Sequence, residues 1–200
     1  MDEPRQGTDA LFSAPGGSAA SQPSDWLLRF AHLIEPGGVV ADVACGAGRH
    51  ARWLLEQGFA VVAFDRDLSR LELVHPRLQR REVDLESVAG FSFGAEAYDA
   101  VLVTNYLWRP LFPALLAAVK ADGVFLYETF AREHAALGSP RNPDFLLEPG
   151  ELLARVGPGQ RIVAYEHGYL AAPRPRVVQR IASVGAARDL AGRGLGPAGG

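Results

Sequence analysis

The chain predicts an α/β domain built on a doubly wound, mostly parallel sheet that ends in an antiparallel hairpin. Three stretches carry this expectation. Val39 to Asp67 reads VVADVACGAGRHARWLLEQGFAVVAFDRD: an apolar run, a small-residue turn, a segment of helical spacing, and a second apolar run. That is one βαβ unit of about 30 residues, the kind of crossover that parallel strands require. Tyr98 to Thr104 is a near-continuous apolar run, as in a strand covered on both faces. Gln160 to Tyr165 and Val177 to Val184 flank a segment kept irregular by Pro173 and Pro175, so they should pair as an antiparallel hairpin at the sheet edge.

The other elements follow in order. Residues 1–22 are rich in Gly, Ala, Ser and Pro and read as a flexible segment; Leu11 and Phe12 form its apolar pair, expected on the surface rather than as a lid. A single domain should span residues 23–185. Ser24 is suited to cap a helix over Asp25–Leu33, with Trp26, Leu27, Phe30, Leu33 and Ile34 on one buried face. Pro36-Gly37-Gly38 leads into the first strand, which closes on Asp42. The turn Ala44-Cys45-Gly46-Ala47-Gly48 precedes a helix over Arg49–Gln57, stopped by Gly58. The second strand, Ala60–Phe64, again ends on an acid, Asp65. The segment DRDLSRLELVH predicts a short loop and a helix stopped by Pro76, and Glu82–Leu85 a short third strand. After the fourth strand, a helix is expected over Leu111–Ala121 and a fifth strand over Val124–Glu128, opened by Gly123. Residues 131–150 make a long connection, a length usually found where loops carry function. A helix over Glu151–Val156 precedes the hairpin, and from Ala186 to residue 200 the Gly/Ala-rich chain reads as a disordered tail.

Composition narrows the function classes. The 200 residues are 48% hydrophobic, enough for one self-sufficient core. A net charge of −3 calls for neither nucleic acid nor an anionic membrane. The local clusters Arg77, Arg80, Arg81 and Arg174, Arg176, Arg180 read as solvated faces. No apolar run reaches the ~20 residues of a membrane span. Asp2 and Glu3 stand where a signal peptide carries positive charge, and the one cysteine fits a reducing compartment, so a cytoplasmic location is expected.

The glycine turn sets the chemistry. Its glycines let backbone approach a ligand closely, and the following helix start points amides at it. Asp65, at a strand end, can accept from two ribose hydroxyls, so a nucleoside-containing cofactor is expected. Ala51 could serve as the third small residue of a dinucleotide fingerprint, but pyrophosphate has no use for the acid before the turn. Asp42 is placed to face a cation such as an amino group, which suits S-adenosylmethionine better than NAD. Cys45 reads as a small packing residue. His50, at a helix start, should be neutral. Histidines 32, 75, 134 and 167 lack metal-ligand spacing, and no metal site is expected.

DVACGAGRHA followed by VVAFDRD resembles the first two motifs of the class I S-adenosylmethionine-dependent methyltransferases. Gly48-Arg49-His50 is similar to the small methyltransferases of the tellurite-resistance type. So are Asn105-Tyr106-Leu107-x-Arg109-Pro110, Tyr127-Glu128-Thr129-Phe130-Ala131 and the run from Asn142 to Leu153. The resemblance covers roughly residues 24–184 and departs from the pattern at Ala44, where a first glycine is usual. It implies a Rossmann-like seven-stranded sheet with an antiparallel C-terminal hairpin strand, S-adenosyl-L-methionine as cofactor and S-adenosyl-L-homocysteine as product. The cofactor residues it implies are Asp42, Ala44, Cys45, Gly46, Gly48, His50, Asp65, Arg66, Asp84, Leu85 and Asn105. Among these, Asp84 would accept from the adenine amino group and the Leu85 amide would donate to the ring.

Methyl transfer from a sulfonium is an in-line displacement, so a protein must chiefly bind and aim. Tyr106, Arg109 and Glu128 are the expected positioning residues at the strand ends, with Asn142 and Phe145 touching substrate from the long connection. Arg109 would hold an anionic substrate or pair with Glu128; Glu128 is the best potential base or cation ligand. Asn105-Tyr106-Leu107-Trp108 is not the [DN]PP[YF] turn of enzymes that methylate exocyclic amines. The expected partner is therefore a small-molecule acceptor, anionic or soft, with the chain a monomer or homodimer. Two alternatives are an NAD(P)-dependent oxidoreductase, which would need a catalytic Tyr/Lys or His/Asp arrangement although Lys120 is the only lysine, and a non-catalytic cofactor-binding subunit.

Overall fold

The structure, a computed structural model, describes residues 22–87, 91–157, 159–189 and 191. The expectations for Leu11, Phe12 and most of the C-terminal tail lie outside these residues. Seven strands form one sheet: β1 (Val39–Val43), β2 (Ala60–Asp65), β3 (Leu78–Glu82), β4 (Tyr98–Thr104), β5 (Val119–Phe130), β6 (Gln160–Leu170) and β7 (Arg176–Gly185). Their order is β3-β2-β1-β4-β5-β7-β6, with β7 antiparallel to both β5 and β6 and every other pair parallel. The hairpin forms as expected, β6 taking the edge and β7 the gap beside β5.

Strand alternation sorts the core into two layers. Val40, Val61, Ala63, Ala100, Leu102, Val124, Leu126, Ala182 and Val184 face α1 (Asp25–Phe30) and α2 (Arg49–Glu56). Ala41, Val43, Val62, Phe64, Val101, Val103, Phe125, Tyr127 and Ile181 face α3 (Phe112–Ala118) and α4 (Glu151–Arg155). Helix α1 starts where Ser24 accepts from the Trp26 amide at 3.1 Å. Trp26 is 1% exposed and its indole N–H donates to the Ile181 carbonyl at 3.0 Å, docking α1 across the sheet.

Four expectations need correction. No helix follows Asp65: the Ser69 amide donates to the Asp67 carboxylate at 2.8 Å, as at a helix start, but the chain does not coil onward. Leu68, Leu71 and Leu73 are instead buried on an irregular segment that packs against the glycine turn, and burial of a residue pair two apart selects extended backbone. The third strand is Leu78–Glu82, four residues upstream of the expected start. As a sheet edge it is largely exposed and carries Arg80, Arg81 and Glu82, which suit an edge that must not recruit further strands. Helix α3 ends at Ala118, and β5 begins at Val119, which pairs with Tyr98 before the register shifts ahead of Ala100. Finally, the described chain past residue 185 is anchored. The Ala187 amide donates to the Ala121 carbonyl at 3.0 Å, and buried Arg188 donates to the carbonyls of Asp122 (2.9 Å) and Leu33.

Candidate active site

The carboxyl ends of β1, β2, β4 and β5 converge on the glycine turn. Strand β1 hands the chain to β2 on one side while β4 lies on its other side, the crevice where open α/β sheets place ligands. Both residues that turn the chain out of β1 and β4 adopt left-handed backbone: Ala44 at φ 57° and Asn105 at φ 55°. Such strain in non-glycine residues collects at functional sites. Gly46 (φ +54°) has nothing within 4 Å of where a Cβ would stand, so its face is open. Gly48 (φ +76°) is demanded by packing, since a Cβ there would lie 2.2 Å from Leu71 Cδ1.

Two carboxylates bracket the turn. Asp42 is buried at the end of β1; its Oδ2 accepts from the Ala51 amide at 3.1 Å, and its Oδ1 lies 3.8 Å from His50 Nδ1. Burial pushes its pKa up to about 7, against the pull of Arg49 and the Ala51 amide. Burial, with help from Arg49, also drives His50 well below the ordinary histidine range, so the pair is a neutral imidazole beside a readily protonated acid. Asp65 accepts from the Gly46 amide at 2.7 Å and the Asp67 amide at 3.2 Å, tying the second strand end to the turn. Cys45 is 6% exposed, and burial together with Asp42 and Asp65 raises its thiol; it is a packing residue.

Next to this crevice a polar row crosses four strands on the α1/α2 face. Thr104, Glu128, Arg180 and Glu166 stand directly opposite one another in successive strands β4, β5, β7 and β6. Glu128 is 2% exposed; its Oε2 accepts from Ser24 at 3.3 Å and from Arg180 at 3.4 Å, and Arg176 lies 3.9 Å from its Oε1. Arg180 also binds Glu166 through Nε at 2.8 Å and stacks over Trp26. Arg29 of α1 reaches the other Glu166 oxygen at 2.6 Å. His50 Nδ1 stands 3.5 Å from Thr104 Oγ1, joining the row to Asp42.

Residues 40–121 match the family model described as a methyltransferase domain. Over these residues the chain carries a methyltransferase domain, and its fold is that of the class I S-adenosylmethionine-dependent methyltransferases. No curated protein matches the sequence. Among solved structures, an S-adenosylmethionine-dependent methyltransferase from Mesorhizobium loti aligns at TM-score 0.63 and 16% identity, over 84% of this chain and 98% of its own. TehB from Haemophilus influenzae aligns at 0.58 and 16%, over 80% and 61% respectively. The 1,6-didemethyltoxoflavin-N1-methyltransferase of Burkholderia thailandensis, solved with 1,6-didemethyltoxoflavin and S-adenosylhomocysteine bound, aligns at 0.54 and 19%, over 82% and 76%. The cofactor for which the Mesorhizobium loti structure is described is S-adenosylmethionine, and the antiparallel β7 sets the present sheet apart from the all-parallel sheet expected of an NAD(P)-binding domain.

The donor set of the methyltransferase crevice fits that cofactor. Among the described residues, two buried side-chain atoms lack a hydrogen-bond partner, His50 Nε2 and the Tyr106 hydroxyl. Both residues border the crevice, one beside Asp42 and the other among Asp65, Asp84 and Glu86. An acid suited to an ammonium, a strand-end acid suited to a ribose and an open glycine face complete the set. Among the described residues no cluster of His, Cys, Asp or Glu is arranged to hold a metal ion.

Other residues of the methyltransferase that the sequence singled out lie as follows. Asp84 and Leu85 follow the end of β3; Leu85 is buried, while Asp84 is exposed and accepts from the Glu86 amide at 3.0 Å. Arg66 is exposed beside Asp65. Arg109 does not pair with Glu128. Its guanidinium grips Glu151 at 2.8 and 2.9 Å and the carbonyls of Asp144 (2.7 Å) and Leu146 (2.8 Å), because α4 and the long connection, not β5, fold over the end of β4. Asn142 is exposed and caps its own turn, accepting from the Asp144 amide at 3.0 Å, and Phe145 is half-buried nearby. Sequence reasoning missed Ser24, Arg49, Thr104, Arg176 and Arg180. Arg176 and Arg180, expected on a solvated face, are largely buried against Glu128, and Arg180 has a signal in hindsight: an arginine within the mostly apolar run Val177–Val184 of a covered strand requires a buried partner.

Proposed function

We propose that this methyltransferase passes a methyl group from S-adenosylmethionine to a small anionic acceptor by in-line displacement. The observation carrying this reading is the charge balance around Glu128. Arg176 and Arg180 approach this one buried carboxylate, and Arg49 senses it from the start of α2. With Arg29 added, four guanidinium groups face the carboxylates of Glu128 and Glu166 and, from Arg49, that of Asp42, leaving positive potential beside the crevice for an anion to neutralise.

S-adenosylmethionine supplies an activated methyl group on a sulfonium, so the residues bind and orient rather than activate. Asp42 receives the ammonium, with His50 filling the space beside it. Gly46 and Gly48, with the backbone of Ala44 and Cys45, let the cofactor lie against the chain. Asp65 takes the ribose hydroxyls and Arg66 flanks them, while Asp84 and the Leu85 amide meet the adenine. Asn105 closes the crevice from β4. Arg176 and Arg180 hold the acceptor's charge, and Glu128 keeps their guanidinium groups oriented. Arg109 acts indirectly, fixing the connection that carries Asn142 and Phe145 over the acceptor side. An acceptor that is already an anion needs no general base.

The test is calorimetry with S-adenosylhomocysteine, with NAD+ and NADP+ as controls, followed by acceptor screening with thiols, chalcogen oxyanions and carboxylates. Arg176→Ala should raise the acceptor KM about tenfold, the scale of one charge-assisted hydrogen bond, and leave the S-adenosylhomocysteine Kd unchanged. A preference for neutral amines that is indifferent to Arg176→Ala would overturn the acceptor class.

A further inference from the structure

We propose that Tyr106 reads the adenine of the cofactor, its hydroxyl donating a hydrogen bond to a ring nitrogen. The proposal rests on the methyltransferase reading and gives Tyr106, expected as a positioning residue, a place at the nucleoside end of the crevice.

Tyr106 follows the left-handed Asn105 at the mouth of β4 and is only 7% exposed. Its backbone is fixed on both sides: the Asn105 amide donates to the Glu128 carbonyl at 2.9 Å, and the Tyr127 hydroxyl donates to the Tyr106 carbonyl at 2.7 Å. The ring packs in the α3-side layer that holds Phe64, Leu85, Leu107 and Leu111. This layer lies on the sheet face opposite Asp42 and His50, and the groups that face the hydroxyl, Asp65, Asp84 and Glu86, stand at and beyond the ends of β2 and β3. The hydroxyl is buried and has no partner. A buried hydroxyl left unsatisfied costs about 1–3 kcal/mol, so a position retaining one marks a place where a ligand completes the bond.

The surroundings select the atom that completes it. Burial raises the pKa of the hydroxyl, and the carboxylates of Glu86, Asp84 and Asp65 add to it against the pull of Arg66, so it stays a protonated donor. Asp65 already accepts from two amides and Asp84 from one, and none of the three accepts from Tyr106. Carboxylates suit the ribose hydroxyls and the exocyclic amine, which donate. The ring nitrogens of adenine only accept; Arg66, the other side-chain donor near this hydroxyl, is exposed beside Asp65, so the Tyr106 hydroxyl is the buried side-chain donor that can meet one.

Calorimetry with S-adenosylhomocysteine and its 1-deaza, 3-deaza and 7-deaza analogues, on the unsubstituted protein and on Tyr106→Phe, tests this. Phenylalanine keeps the ring and its packing, and a thermal melt confirms that the variant is folded. Tyr106→Phe should bind S-adenosylhomocysteine about tenfold more weakly, the usual worth of one such bond. One deaza analogue should lose a similar factor on the unsubstituted protein and nothing further on the variant. Equal S-adenosylhomocysteine affinity in the two proteins, or a fall in turnover with unchanged affinity, would overturn the proposal and leave the methyltransferase reading standing. Absence of S-adenosylhomocysteine binding by the unsubstituted protein would overturn both.

Discussion

Asp42 is a carboxyl group held almost out of water with one backbone amide and a neutral histidine for company. Its folded pKa is raised to about 7 from 3.8, so protonation favours the empty fold. The contribution is fully present below the unfolded value and is lost as pH rises through about 7. A cationic ammonium reverses the preference, since it needs the ionised form. We therefore predict that S-adenosylhomocysteine affinity falls about tenfold per pH unit below about 7, with release of close to one proton on binding at pH 6. Titrations in buffers of different ionisation enthalpy measure that proton, and Asp42→Asn should abolish both the release and the slope. A flat profile in the unsubstituted protein would assign Asp42 a purely structural role. The strand-end position of Asp42 was legible from the chain; its raised pKa was not, because it depends on burial under His50 and the Ala51 amide at the start of α2.

The long connection after β5 is held as an element rather than left as a loop. Ala131 and Leu147 form a parallel bridge, and the Leu147 amide donates to the Phe130 carbonyl at 2.9 Å. Arg109 completes the clamp. Burial opposes ionisation of Glu151, yet hydrogen bonds from Arg109, the Glu148 amide and Arg155 hold its pKa at about 2. The clamp is thus fully present above pH 4.5 and lost as pH falls toward about 2. Arg109→Ala should lower stability by roughly 1–3 kcal/mol, read by thermal melting, and hasten limited proteolysis between residues 132 and 148. Unchanged cleavage there would mean that the bridge alone suffices. In sequence Arg109 looked like a substrate ligand because its partners lie 35 to 42 residues away, beyond any local pattern. The same limit hid β3. An edge strand of mostly polar residues has no apolar run to betray it, so the expected strand slid to the nearest valine and leucine. The absent helix after Asp65 failed differently: Leu68 and Leu71 have helical spacing, and only packing against Gly48 selects the irregular path.

At the scale of the molecule, the sheet topology was the most legible feature. A βαβ unit fixes the parallel half, and a short proline-bearing link leaves β6 and β7 no alternative to antiparallel pairing. Strands β1 and β4 lie in the middle of seven and are covered on both faces, whereas β3 is an exposed edge. In native-state hydrogen exchange, the amides of β1 and β4 should be the slowest and those of β3 among the fastest. Comparable protection of β3 would point to a cover over that edge. The place of β7 has a further consequence, for synthesis. Strand β6 is made first but touches the sheet only through β7, so β5 presents a bare edge until residues 176–185 have left the ribosome. During that interval a nascent neighbour could pair there instead. Arg180 works against such errors, because a slip of β7 by one residue would turn its charge into the layer of Phe125 and Tyr127. The polar row that flanks the crevice therefore also serves as a proofreading mark for the last strand to arrive.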